Sequence, residues 1–243
     1  MLKIFKNEII KMVSSKKFYL LCAILIFSII LMGVVVDPTI NANNFVLATL
    51  AGMVMKPIVP TFMVLVIVEV LTDDYSLGTM KFSLMTTIRK SDFIIGKLLF
   101  IALYALIFMA ISFIFSYIVG TTIFGLGEKE ETIKNLVYNI KCYGVLILPL
   151  LSFCAMMSLI ALLINNSGAM IGLGIGIILI LSMLVFIQEN VIYFMPGGGM
   201  YAASYINKSG PHSIFLFAIV AVIYIIVFSF ISSLVINKKD IVQ

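Results

Sequence analysis

Charge is scarce in this sequence. Only 11% of the 243 residues are Asp, Glu, Lys or Arg and 63% are apolar, against about a quarter charged and half apolar in soluble domains. A water-soluble fold is excluded, because a globule of this size could not hide so much apolar surface, whereas a bilayer supplies a second apolar solvent. Histidine is reduced to His212, so no zinc site of the HExxH kind can be built, and beside Pro211 it reads as a loop residue. The three cysteines, Cys22, Cys142 and Cys154, have no CxxC spacing and read as small packing residues. A phosphate-binding loop is missing too: Gly120 and Gly125 are separated by four residues, but Leu126-Gly127 stands where Lys and then Ser or Thr are required. There is no ATP site, no metal site and no paired catalytic constellation, so the chain does not read as an enzyme.

What is abundant is long apolar runs. A helix crossing the hydrocarbon needs about 20 mostly apolar residues, and six stretches qualify: Phe18–Val36, Ala51–Leu71, Leu98–Val119, Cys142–Ile164, Ala169–Ile187 and Ile214–Ile236. The expected fold is an all-α membrane protein forming a single permease-like domain over 1–243. An even span count places both termini on one side. That side collects eleven basic residues, at the N-terminus (Lys3, Lys6, Lys11, Lys16, Lys17), in the second connection (Lys81, Arg89, Lys90, Lys97) and at the C-terminus (Lys238, Lys239); the other side has five. The positive-inside rule therefore puts both termini in the cytoplasm of a cell-membrane protein. The net charge of +5 is an orientation signal, not a mark of nucleic acid or another anionic partner.

Residues 1–17 are basic and then apolar, as in a signal peptide, but no small-residue cleavage site follows. Leu2, Phe5, Ile9 and Met12 share one helical face, with Lys3, Lys6 and Lys11 elsewhere. This pattern predicts an amphipathic helix in the cytoplasmic interface, its basic side on anionic lipid headgroups; a frayed basic tail is the plainer alternative. Inside the spans ionisable residues are nearly absent. Lys56, Glu69 and Glu189 all fall near span ends, which argues against the midplane charges of an ion-coupled transporter or proton pump. Gly172, Gly174 and Gly176 alternate within the fifth span and read as sites of close helix packing.

The remaining charge concentrates in the second connection, residues 72–97. Glu69 and Asp73, then Gly78-Thr79, predict that the second span continues past the membrane and stops at the glycine. A short helix follows, with Met80, Leu84 and Ile88 on one face and Lys81 and Arg89 at its edges. Ser91-Asp92 reads as the cap and first-turn acid of the third span. Such a helix can enter a groove on a soluble partner or rest on lipid headgroups.

The order Glu69, Asp73 or Asp74, Gly78-Thr79 with Lys81, Arg89, then Gly96-Lys97 opening a new span resembles the cytoplasmic loop of type-2 ABC exporter permeases. The layout is similar as well: an N-terminal interfacial helix, six spans, cytoplasmic termini and no ATPase domain. The motif covers about residues 69–98 and the layout covers the whole chain. The family often carries a proline shortly before the arginine; Thr86-Thr87-Ile88 stands here instead, a departure that bears on the local shape of the loop helix. The resemblance implies that the chain is half of a pathway, paired with an identical or related permease and with two separate ATPase subunits that hold ATP and Mg. It makes Gly78–Ile88 the coupling helix. Met80, Leu84 and Ile88 would then sit in the ATPase groove with Lys81 and Arg89 at its rim, and Glu69, Asp73 and Asp74 would tie the helix to the membrane domain.

On the other side, Ile133, Leu136, Val137 and Ile140 have an amphipathic period that predicts a helix on the outer leaflet. The last connection, residues 188–212, holds Pro196-Gly197-Gly198-Gly199 between two short apolar runs. It predicts a re-entrant helical hairpin packed on neighbouring spans, and it resembles the helices that cap the exit of type-2 exporters. Asn165-Asn166-Ser167-Gly168 predicts a tight turn. Spans with few charges suit a hydrophobic or amphipathic cargo, membrane-active or antimicrobial peptides first among them. Efflux of a small drug or ion, a non-transporting scaffold or sensor, and a passive channel are the competing readings; the channel ranks lowest for want of a charged ring or filter-like run.

Overall fold

The computed structural model describes residues 2–36, 40–54, 57–74, 89–126, 129–187, 194–197 and 211–238. Every regular element among them is helical: α1 (Leu2–Ser14), α2 (Lys16–Val35), α3 (Ala42–Thr49), α4 (Ile58–Ile67), α5 (Lys90–Phe124), α6 (Lys129–Leu163), α7 (Ser167–Ile187) and α8 (Pro211–Lys238). Two π-helical segments flank α4, Leu50–Val54 before it and Val68–Asp73 after it. Among the described residues four helices, α2, α5, α6 and α8, are long and apolar enough to cross a membrane.

The centre of the bundle is the pair α5 and α6, which touch each other and between them contact every other helix. Burial follows from this arrangement. Within its apolar window α6 is 61% buried, whereas α2 and α8 are only 28% and 17% buried although equally apolar, so their outer faces need a non-aqueous solvent. The protein is membrane-embedded.

Several elements depart from the sequence expectation. The stretch Ala51–Leu71 is not one continuous α-helix. Pro57 lacks an amide hydrogen and stands just before α4, and the π-helical segments widen the chain on both sides. Ile133–Ile140 does not form a separate helix, because the helix starting at Lys129 runs on unbroken to Leu163. Its stripe faces outward, with Ile133 71% and Ile140 50% exposed, while the polar Asn139 is fully buried. Outward apolar side chains of this kind are what a lipid solvent allows. The third span begins at Lys90, with Arg89 rather than Ser91 at the cap position and no side-chain cap bond; Asp92 is in its first turn. The expected tight turn is present as the non-helical residues 164–166, and Asn166 Oδ1 accepts the Ala169 amide hydrogen at 3.1 Å and caps α7. His212 falls in the first turn of α8, not in a loop.

Hydrogen bonds hold Phe194–Gly197 to the bundle. The Gly197 N–H donates to Ser152 Oγ at 3.1 Å and the Tyr224 hydroxyl donates to the Phe194 carbonyl at 2.7 Å, pinning the turn between α6 and α8. Ser152 is near the middle of the apolar run 142–164, three residues after Pro149, whose carbonyl accepts the Ser152 hydroxyl at 2.8 Å. Irregular backbone at this depth is thus satisfied by protein groups. Gly197 has φ of +79°, a conformation that a Cβ disfavours by roughly 1–2 kcal/mol. Gly197→Ala is expected to cost about that much, read as a lower thermal midpoint of the purified protein. Gly198 and Gly199 of the expected hinge lie outside the described residues; Pro196 is within the turn.

Candidate functional site

Among the described residues, buried charge gathers where α1, the Val68–Asp73 π-helix and the first turns of α5 meet. The buried face of α5 there is Phe93, Ile94, Lys97, Phe100, Ile101 and Tyr104, at spacings of three and four. Lys97 occupies a core position in an otherwise apolar and aromatic stripe, and its side chain is 1% exposed. An ammonium so placed loses several kcal/mol of hydration and needs close partners.

It has three. Asp74 forms an ion pair with it, Glu8 of α1 lies 3.3 Å away, and the Val70 carbonyl accepts from Nζ at 2.5 Å. The π-helix explains the last contact, because its wider turn alters the backbone ladder and lets a carbonyl face a side chain. Nζ also lies 5.1 Å from the centroid of the Phe93 ring, within cation–π range. Glu8, 7% exposed, is shared with Lys11 at 3.3 Å, and Lys11 reaches Asp74 at 3.7 Å. Around this hub Lys17 of α2 lies 3.8 Å from Glu69, and Ser167, the first residue of α7, donates to Asp73 at 2.5 Å. The acidic end of the second apolar stretch is therefore fastened to α1, α2, α5 and α7 at once. A cavity of about 540 Å³ opens beside it, with Phe100 and Tyr104 on its apolar wall and Lys11, Glu69 and Asp73 among its polar lining.

Glu69, Asp73 and Asp74, expected as anchors, all belong to this junction, and Arg89 caps α5, its carbonyl accepting the Phe93 amide hydrogen at 3.1 Å. The expected Gly78, Thr79, Met80, Lys81, Leu84 and Ile88 lie outside the described residues. Glu8, Lys97 and Ser167 were not anticipated. Lys97 had been counted among loop charges, yet it is enclosed. A signal was available: Lys97 interrupts the i, i+3, i+4, i+7 stripe from Phe93 to Tyr104, and Glu8 is the one acid among the five lysines of residues 1–17. The face that α1 buries is Ile4, Glu8 and Met12, with Leu2 exposed, so the expected Leu2–Phe5–Ile9–Met12 stripe is rotated toward α5. Burying Glu8 against Lys97 accounts for the rotation.

Among the described residues no group of three or more His, Cys, Asp or Glu could hold a metal ion; several of the acids at this junction face lysines instead. The fold and its junction define a membrane-embedded protein, all-helical among the described residues, whose buried charges fasten several helices together at one end. The chain belongs to the family described as "Protein of unknown function (DUF2705)", which matches residues 9–242. A comparison with curated proteins finds no match.

Proposed function

We propose that the chain is the transmembrane subunit of an ATP-driven exporter of the type-2 ABC class, working in the cell membrane with both termini in the cytoplasm. The observation that carries this reading is the fastening of the acidic end of the second span to four other helices, immediately before residues 75–88. A force applied to that segment by a soluble motor would reach α1, α2, α5 and α7 through Lys97, Glu8, Asp74, Glu69 and Asp73 as one body. On this reading α4 with its π-helical extension and α7 complete six spans. α7 alone, at 21 residues, measures about 31 Å, enough for the hydrocarbon core. The Phe194–Gly197 turn belongs to a re-entrant hairpin on the outer side. ATP and Mg are held by partner ATPases, and a second permease copy, identical or related, completes the pathway. The cargo is hydrophobic or amphipathic, with membrane-active peptides as the leading class, because the apolar runs of the spans carry few charges.

Affinity purification of the chain from its native membrane tests the reading directly. A Walker-motif ATPase is expected to co-purify, and Lys81→Glu with Arg89→Glu is expected to reduce its recovery about tenfold while membrane insertion is unchanged. Undiminished recovery from the double variant would remove the coupling-loop assignment. Absence of any ATPase from the wild-type sample would favour a scaffold or sensor.

A further inference from the structure

A second cavity, of about 360 Å³, shares Lys17, Glu69 and Asp73 with the one described above, but its remaining walls come from α2, α4 and α7. It lies in a cleft between two groups of helices, since α2 packs mainly on α5, and α4 mainly on α6 and α7. The Lys17–Glu69 ion pair spans that cleft at 3.8 Å. On every wall the polarity changes in the same direction. Lys16 and Lys17 of α2 are followed four residues on by Leu20 and Leu21, and Glu69 is preceded four residues back by Leu65. On α7, Ser167, which donates to Asp73, is followed four residues on by Ile171. Four helical residues rise about 6 Å. The cavity is therefore charged at one end and apolar about one helical turn deeper, at the basic end of a span. A bilayer passes from headgroup to hydrocarbon over the same interval.

We propose that this cavity binds the headgroup of a phospholipid that is zwitterionic and carries a primary ammonium, as phosphatidylethanolamine does. The lining charges select that chemistry. Lys16 and Lys17 are offset by Glu69 and Asp73, so an anionic headgroup would meet repulsion as well as attraction, whereas a zwitterion finds a partner for each of its charges. The lysines take the phosphodiester and the two carboxylates take the ammonium. At 3.8 Å, Lys17 and Glu69 are too far apart for a direct hydrogen bond, and their side chains are 67% and 43% exposed, so little stability is lost when each turns to the lipid. Asp73 accepts the Ser167 hydroxyl, and a carboxylate has about four acceptor sites. A primary ammonium brings three N–H donors to these acids; a trimethylated one brings none. The acyl chains continue along Leu20, Ile24, Phe27 and Leu31, all exposed on the outer face of α2. A lipid held in this way ties α2 to the second span across the cleft, and it does so whether or not an ATPase binds the chain.

Native mass spectrometry of the full-length protein tests this, with detergent micelles doped in turn with chain-matched phosphatidylethanolamine, its N-methyl and N,N-dimethyl derivatives, phosphatidylcholine and phosphatidylglycerol. Phosphatidylethanolamine is expected to be retained about fivefold better than phosphatidylcholine, with a stepwise decline as each methyl removes a donor, and phosphatidylglycerol no better than phosphatidylcholine. Equal retention across the methyl series would overturn the proposal. Tightest retention of phosphatidylglycerol would overturn it in favour of an anionic-lipid surface made by the lysines alone. The methyl series uses the wild-type chain, so it decides even where a variant fails to fold. Glu69→Gln is expected to remove the preference for phosphatidylethanolamine while leaving phosphatidylcholine retention unchanged, whereas Lys17→Gln is expected to lower both and keep their ratio. A folded Glu69→Gln chain that still preferred phosphatidylethanolamine fivefold would overturn the assignment of the ammonium to the acidic wall.

Discussion

Replacing Lys97 with methionine is expected to lower the thermal midpoint of the purified protein by about 10 °C, the largest effect of any single substitution in the junction. Methionine fills nearly the same volume, so the loss is electrostatic. It leaves Glu8 and Asp74 facing each other with only Lys11 between them, and Lys11 is half exposed. Breaking a buried pair by removing one partner typically costs about 3–5 kcal/mol. Glu8→Gln alone is expected to cost less, because Lys97 keeps Asp74 and the Val70 carbonyl. In the Lys97→Met background the same Glu8→Gln change is expected to restore part of the loss, since it neutralises the stranded carboxylate. A double-mutant cycle should give a coupling of about 1–3 kcal/mol. Strictly additive effects would mean that Glu8 and Lys97 do not share a site. Replacing the ionic hub with apolar groups of similar size is expected to leave overall stability nearly intact. What it removes is the fixed seat of α1 on α5, measurable as faster proteolysis within residues 2–14.

Gly174→Ala is expected to destabilise by about 1–3 kcal/mol, whereas Gly172→Ala and Gly176→Ala should be neutral or stabilising by up to about 1 kcal/mol. A Cβ on Gly174 would lie 2.6 Å from one Val64 methyl and 2.9 Å from the other, with the Met157 methyl at 3.0 Å. The methionine end can swing away. Val64 cannot, because it is fully buried and a β-branched side chain has essentially one χ1 setting on a helix. The helices α4 and α7 must therefore separate. At Gly172 and Gly176 an added Cβ meets nothing within 4 Å, and the gain is the ordinary preference of a helix for alanine. Val64→Ala is expected to rescue Gly174→Ala by removing both obstructing methyls. Equal effects at the three glycines, measured as thermal midpoints or as chain recovery from membranes, would show that α4 and α7 do not approach at Gly174.

These two results bear on what can be read without a structure. Three glycines at alternating positions look equivalent in sequence, but successive alternate positions on a helix turn through about 200°. Gly174 therefore lies opposite Gly172 and Gly176, and only the position of α4 tells which side is pressed. The same ambiguity hid Glu8. Residues 1–17 plainly encode an amphipathic helix, yet the four-residue stripe Leu2, Phe5, Ile9 and Met12 and the neighbouring Ile4, Glu8 and Met12 are both compatible with it. A bilayer surface would select the first; the buried cation on α5 selects the second.

The solvent and the class of fold are legible in the composition. A chain with 63% apolar residues and 11% charge has to place long helices in lipid, because no other backbone arrangement drawn from such runs satisfies its own hydrogen bonds there. It also placed Glu69, Asp73 and Asp74 at a span end. Which groups those acids meet, and where polar side chains are enclosed, follow from helix packing. Lys97 looks like a loop charge when read along the chain, and it becomes a buried hub only because α1 and a π-helical turn bring carboxylates and a carbonyl to it. Asn139 looks like an interruption of an apolar run until α3 and α5 turn polar groups toward it, the Asn43 carbonyl at 3.1 Å and the Tyr117 hydroxyl at 2.8 Å. The physical reason is the same in each case: periodicity reveals which residues share a face, whereas the partner that makes a buried polar group affordable comes from a distant part of the chain.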